Sequence, residues 1–364
     1  MKRTAVLFSA MIAAIAAIAA PAGISAPAAA DGQPAAVRFR GMMLRGNPDA
    51  MTEDDFATLG RWGANLVRFQ MPVGWRKPRH WESNDDYDAY IGHCLDVLQE
   101  KVLAWADAHG QKVVLDLHAT PGSRTEDMES RVFLEQRYAD HFVETWRRIA
   151  ERFKGDRRLY GYDLMNEPLL NGDGANRRVV DLQLEAARAI RAVDPEATII
   201  VEVNNWDGPG AFRDLEALPL GNVVYQVHCY HPMPFTHQGV STGNRERLNV
   251  WPDPEKGWDM EFLRTNLAPV RDFQLRTGAR IYVGEFSAVA WAPGAENYIR
   301  DCIKLFEEYG WDWSYHAFRE WDGWSVEKTW TGRDGDRDLF EPSEDNPRKR
   351  ALLDGFRAGN PHIP

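Results

Sequence analysis

The sequence predicts an α/β fold, a single (β/α)8 TIM barrel with its active site at the C-terminal ends of the strands. Three observations carry that reading. Strand-like and helix-like segments alternate along the chain with no linker or low-complexity break. The strand-like segments number eight, enough to close a barrel of parallel strands. No Gly-x-Gly-x-x-Gly turn follows the first of them, so the doubly wound open sheet, which would show the same alternation, lacks its usual signature.

In chain order the predicted strands are Val37–Leu44, Ala64–Phe69, Lys112–Leu117, Leu159–Leu164, Thr198–Val203, Val223–Tyr230, Arg280–Glu285 and Asp312–Phe318. Each is a short run rich in apolar and aromatic residues, the pattern of a strand covered on both faces. Helical patterns lie between them. Glu53–Trp62 starts behind Thr52, whose side chain can cap it, and Tyr87–His109 carries apolar Leu95, Val97, Leu98 and Val102 at helical spacing. Arg131–Phe153, Arg177–Val193, a short Phe212–Ala217, Trp258–Arg276, Glu296–Tyr309 and Arg348–Phe356 follow. Pro269 in the sixth of these has no N–H and crowds the preceding turn, so a kink or a division is expected there.

At 364 residues, 44% hydrophobic, the chain can bury a large core in one barrel. Residues 1–30 read as a secretory signal: Lys2 and Arg3, an Ala-rich apolar run from Ala5 to about Ala20, then Ala28-Ala29-Ala30 with the small-residue pattern of a cleavage site. Residues 31–364 form the catalytic domain, expected to be secreted or periplasmic, with no membrane attachment after cleavage. Losing a leader with two basic residues and no acidic one takes the net charge from −11 to −13. Nucleic acid is therefore excluded as a partner on bulk charge, and a monomer is expected. Cys94, Cys229 and Cys302 are too few for a disulfide framework and read as three small buried side chains.

The chemistry collects at the strand ends. In Leu159–Leu170, LYGYDLMNEPLL, an apolar strand delivers Asn166 and Glu167 just before Pro168 ends the ladder. In RIYVGEFSAVA, Gly284 permits close backbone approach and Glu285 ends the strand. On strands four and seven, the two carboxylates can face each other across the barrel mouth, about 5 to 5.5 Å apart as double displacement at a sugar requires. Arg68, ending strand two, would hold Glu285 ionised as nucleophile; Tyr230 can donate a hydrogen bond to it, and Asn166 can bind a sugar 2-hydroxyl. His118, His228, His231 and His237 lack metal-ligand spacing, so neither a metal nor another cofactor is expected. Among 14 tryptophans, Trp75, Trp81, Trp206, Trp251, Trp321 and Trp324 fall in loops, where indoles can stack on sugar faces.

With these residues placed, the chain resembles glycoside hydrolase family 5, the old cellulase family A, over nearly its whole mature length. In that family an Arg follows strand two, matched by Arg68 in NLVRF, and a His follows strand three, matched by His118 in VLDLHATPG. Asn and the acid/base Glu end strand four, as Asn166 and Glu167 do in YDLMNEP; His-x-Tyr ends strand six, as His228 and Tyr230 in QVHCYHP; the nucleophile ends strand seven, as Glu285 in YVGEF. For the family's strand-eight Trp, which floors the catalytic sugar subsite, WDWSYHAFREWDGWSVE offers Trp313, Trp321 and Trp324, or His316 in its place; Trp321, beyond the strand, is the preferred match. The resemblance implies a retaining hydrolase of β-linked oligo- or polysaccharides without a cofactor. An endo-β-1,4-glucanase is expected, with β-mannanase or exo-acting β-glucosidase or β-1,3-glucanase activity as alternatives. A non-catalytic carbohydrate-binding barrel would need the same aromatic mouth without both carboxylates. Specificity would lie in the loops Pro232–Lys256 and Asp322–Ser343.

Overall fold

The computed structural model describes residues 37–71 and 84–358. The leader, Trp75 and Trp81 lie outside the described residues. Eight parallel strands close into a barrel: β1 (Arg40–Met43), β2 (Leu66–Met71), β3 (Lys112–Leu117), β4 (Leu159–Asp163), β5 (Ile199–Val201), β6 (Val223–Cys229), β7 (Arg280–Phe286) and β8 (Asp312–Tyr315). Closure is made by β8 pairing with β1, Arg40 opposite Trp313 and Met42 opposite Tyr315. All eight fall inside or within two residues of the predicted segments. Several are shorter, because the ladder sets a strand's end by register with its neighbours, whereas the apolar run in the sequence continues into the turn.

Alternate residues of each strand point inward, and they stack in layers. Leu66, Val114, Tyr160, Ile200, Val224 and Tyr282, one from each of six strands, form an apolar plug closed by Phe39. One register step higher the inward residues turn polar: Arg68, Asp116, Glu202, Gln226 and Ser314 are all fully buried. A barrel that is apolar below and charged above presents its chemistry at one end only.

The helices pack outside this wall. Glu53–Trp62 has the expected Thr52 cap, built as a capping box with Asp55, whose carboxylate accepts the Thr52 N–H at 2.9 Å. The helix expected over Tyr87–His109 is composite: Asn84–Val97, one π-helical turn Leu98–Val102, then Leu103–Ala108. Arg131–Phe153 resolves into a 3-10 turn, Arg131–Phe133, and the helix Gln136–Phe153, which buries Trp146 and donates its indole N–H to the Leu164 carbonyl at 2.9 Å. The short helix expected at Phe212–Ala217 is instead a 3-10 turn over Pro209–Phe212. Pro269 does not divide its helix, which runs unbroken over Met260–Thr277 behind an Asp259 cap. One missing backbone donor is tolerated where Leu263, Leu267, Val270 and Phe273 bury the helix face against the barrel.

Two loops carry structure that the sequence reading left open. After β8 the chain makes an antiparallel hairpin, β9 (Lys328–Asp334) and β10 (Arg337–Pro342), held to the 232–256 loop by Arg245–Asp338 at 2.9 Å and by Arg333 donating to the Gly243 carbonyl at 2.6 Å. Within that loop Trp251 is buried against Phe235 and Tyr298 and donates to Asp301 at 2.9 Å, so it packs the fold and offers no face to a ligand. Cys94, Cys229 and Cys302 are buried and unbridged. Among the described residues no helix is long and apolar enough to cross a membrane.

One irregularity positions the site. Between β6 and β7 the register shifts, so that Val227 faces Val283 but His228 faces Glu285, with Gly284 as the extra residue. A bulge resets which side chains point inward, and here it returns Glu285 to the interior. A Cβ on Gly284 would run into the buried Gln226 side chain. Gly284→Ala should therefore cost about 1–3 kcal/mol of stability through overpacking. Urea unfolding of the variant and the parent measures it; coincident midpoints would show that the bulge does not depend on glycine.

Candidate active site

Arg68 is the centre of the site. It has no solvent exposure, and its guanidinium reaches β4, β7, the turn after β4 and the residue that follows β5: Nε to Asp163 Oδ2 at 2.9 Å, Nη1 to Glu285 Oε1 at 2.7 Å, Nη2 to Asn166 Oδ1 at 3.1 Å and to Glu202 Oε1 at 3.1 Å. Asp116 stands 3.3 Å from the same Nη2. Burial alone would weaken the guanidinium's hold on its proton, but these carboxylates keep it fully charged.

Glu285, 2% exposed, receives Arg68 on Oε1 and the Tyr230 hydroxyl on Oε2 at 2.7 Å. Burial on its own would push this carboxyl up; the charges of His228, His316 and Arg68 around it hold it well below the usual carboxylate range. Glu167 is held differently. Its Oε1 lies 3.0 Å from His228 Nδ1, and its backbone sits in the left-handed region at φ 48°. That conformation is fixed from both sides: Glu202 Oε2 accepts the Glu167 N–H at 2.6 Å, and Arg124 donates to its carbonyl at 2.7 Å. One oxygen of each glutamate and a ring nitrogen of His228 lie within 4.8 Å of one another.

The remaining predicted residues divide into two groups. His118 bonds Asp116 Oδ2 at 2.8 Å, which connects it to the Arg68 cluster, and Asn166 accepts from Arg68 directly. Trp206 is partly buried, itself at φ 61°, with the Arg124 guanidinium 4.7 Å from its ring centre. Trp324, expected as a loop indole, is 8% exposed and packs beside Tyr230 and His316, with ring centres 6.4 and 5.8 Å away. Trp321 stands behind it, edge-to-face at 5.3 Å, and touches Trp291 beyond. The residue at the very end of β8, beside the carboxylates, is His316 rather than Trp321: its Nδ1 lies 3.8 Å from Glu285 Oε2. The chain folds back straight after the strand, Trp324 N–H to the Trp321 carbonyl at 3.0 Å, which brings Trp324 inward and leaves Trp321 outside it.

Glu202, Asp163, Gln226 and Arg124 were absent from the sequence reading. The first had a legible signal: a lone carboxylate inside the apolar run IIVEV must either pair or hold a proton. Donor atoms of Glu202, Asp207 and His228 also lie within 4.8 Å of one another. The Glu285 and Glu202 oxygens in these groups already accept from Arg68, Tyr230, Gln226 or the Glu167 N–H, so the arginine supplies positive charge beside both.

Comparison with known proteins follows the same lines. The family described as Cellulase (glycosyl hydrolase family 5) matches residues 28–322. Endoglucanase C of Acetivibrio thermocellus is 28% identical over 299 residues, covering 73% of this chain and 84% of that protein. Cellodextrinase A of Ruminococcus flavefaciens is 24% identical over 279 residues, 74% of this chain and 79% of that one. Among solved structures, Thermotoga maritima Cel5A in complex with cellobiose superposes with a TM-score of 0.65 at 21% identity, over 88% of this chain and 97% of that chain, and shares the fold. A family match spanning most of the sequence decides the identity: this chain belongs to glycosyl hydrolase family 5 and is a glycoside hydrolase.

Proposed function

We propose that the protein hydrolyses β-linked glucan chains with retention of configuration, Glu285 acting as nucleophile and Glu167 as acid and base. The observation that carries this reading is the pair of carboxylates within 4.8 Å of each other in unlike surroundings. A gap of about 5 to 5.5 Å suits direct attack, whereas an inverting pair stands roughly 6.5 Å or more apart to admit a water between them. Glu285, bonded to Arg68 and Tyr230 and held well below the usual carboxylate range, is ionised and ready to attack. Its oxygen forms a bond to the anomeric carbon while the glycosidic bond breaks and Glu167 gives its proton to the departing oxygen. Water then attacks the same carbon, Glu167 takes its proton, and Glu285 leaves as carboxylate. Asn166, which accepts from Arg68, would bind the sugar 2-hydroxyl, and Trp206, Trp321 and Trp324 would line the glycan path.

The substrate class rests on the names of the relatives, an endoglucanase and a cellodextrinase, and on the aromatic residues around the mouth. An endo-β-1,4-glucanase is the reading they support best. The basic, Ala-rich leader supports export.

The role assignment is tested by anomer. Glu167→Ala keeps the nucleophile, so an activated aryl β-glycoside plus azide should yield the β-glycosyl azide. Glu285→Ala vacates the opposite face, and azide should give the α anomer. Opposite anomers from the two variants would reverse the roles, and near wild-type turnover by Glu285→Ala without azide would remove the nucleophile assignment.

Product profiles on soluble β-glucans, mannans and xylans should show oligosaccharides from β-1,4-glucan. Trp206→Ala should lower kcat/KM on that polymer roughly two- to twelvefold, the worth of a stacking contact of about 0.5–1.5 kcal/mol. Full activity of the variant would take Trp206 out of the glycan path. Expression of the whole chain in an exporting host should give a mature protein lacking about the first 30 residues by mass spectrometry, as a leader ending in small residues requires. An uncleaved product would contradict export by this route.

A further inference from the structure

The scheme above leaves one buried group beside the nucleophile without a task. His316 follows β8 directly with a side chain 9% exposed, and both of its ring nitrogens are engaged. Nδ1 is 2.8 Å from the Tyr230 hydroxyl, and Nε2 is 2.9 Å from Glu320 Oε2. Counting protons along this chain fixes the state of the ring. A carboxylate only accepts, and a phenol has one hydrogen to give. Tyr230 gives its hydrogen to Glu285 Oε2 at 2.7 Å, so towards His316 its oxygen can only accept, and Nδ1 must carry a hydrogen. Glu320 only accepts, so Nε2 must carry one too. Both nitrogens donate, which makes the ring an imidazolium.

We infer that His316 is a positioning residue for the nucleophile: a charged imidazolium, anchored by Glu320, that locks the Tyr230 hydroxyl in the orientation that donates to Glu285. The inference rests on the reading of Glu285 as nucleophile. Without the second ring proton Tyr230 could turn and donate to Nδ1, and Glu285 would lose a hydrogen bond on the oxygen opposite Arg68. The groups facing the ring agree with the charge. Glu285 on β7, Glu167 after β4 and Glu320 beyond β8 are anionic or acceptors. Tyr230 and His228 on β6 lie between the ring and Glu167, and the Arg68 charge is spent on the far side of Glu285. His237, which edges Tyr230 at 4.8 Å, is neutral because burial takes it down to about 4. Trp324 covers the His316 ring at 5.8 Å and brings no charge. Burial would lower His316, yet Glu285 and Glu320 outweigh it and raise it to about 9.

The test has two parts. Long-range proton–nitrogen NMR of histidine-labelled wild type, with His316 identified by its absence from His316→Gln, should show both ring nitrogens protonated at pH 7 and one of them released as the pH approaches 9. Second, kcat/KM on an aryl β-glycoside should be followed against pH. His316→Gln keeps a polar side chain but removes the cation, so the Glu285 carboxyl should rise and the acid limb of the profile should move up by about one pH unit, the low end of what an adjacent charge does. A purely structural role would lower the rate at every pH and leave the limb in place, which would overturn the inference, as would a singly protonated ring in wild type. Because NMR needs no turnover, the two readings separate. A doubly protonated ring in a protein inert towards every glycan supports the charge placement and counts against the proposed catalytic roles, whereas a neutral ring in an active enzyme overturns this inference alone.

Discussion

Everything at the barrel mouth depends on one buried guanidinium. Arg68 is ringed by Asp116, Asp163, Glu202 and Glu285, with Asp207 a little further out, so acids outnumber the fixed positive charge. Such a cluster cannot ionise fully in a low-dielectric interior. Burial raises Asp163 to about 7 and takes Glu202 and Asp207 well above the ordinary range, and Asp163 Oδ1 and Asp207 Oδ2 are buried without a hydrogen-bond partner among the described residues. Burial thus works against the charge on these three acids, and the negative charge is best held on Glu285, the carboxylate with the best donors. The electrostatic distinction between Glu285 and its neighbours is thus a property of the whole interior layer.

Position is controlled by the backbone as much as by charge. Glu167 adopts a left-handed conformation that a glutamate rarely takes, and its peptide is gripped by Glu202 below and Arg124 beside. The next strand end repeats the device, with Asn205, Trp206 and Asp207 all at positive φ and Asp207 Oδ1 accepting the Val203 N–H at 2.8 Å. Glu285 is aimed by the β6–β7 bulge. A straight strand of the same sequence would have pointed Glu285 outward, since one residue of register exchanges the two faces of a strand.

Much of this was legible in the sequence. The eight strands stand out because parallel strands covered on both faces must be apolar throughout, and Glu167 and Glu285 stand out because a carboxylate ending such a run is hard to explain by packing. The hairpin over Lys328–Pro342 had a signal too, since Gly335-Asp336 between Thr- and aromatic-containing segments is a two-residue turn pattern. What could not be read is what depends on contacts distant in sequence. Gln226 fills the space beside Gly284 at the bulge, Trp324 is buried where the chain turns back after β8, and Arg124 reaches the Glu167 carbonyl from 43 residues away. Periodicity tells which face a residue takes; it does not tell which neighbour waits there.

The end of β8 shows how far a shared catalytic core leaves room for change. Arg68, Asn166, Tyr230 and Glu285 form one bonded set, and Glu167 and His228 a pair joined to it through Gln226 and Glu202, so replacing any of them leaves a buried polar atom unsatisfied. His316 stands at the margin of that set, bonded to Tyr230 on one side and to the half-buried Glu320 loop on the other. A residue there can change from flat and apolar to charged without disturbing Arg68, because its second bond goes to a loop that is free to supply a matching carboxylate. What separates this strand end from those of β4 and β7 is therefore connectivity. A side chain tied to the Arg68 layer is constrained by five strands at once, and one tied to a loop is constrained by its own turn.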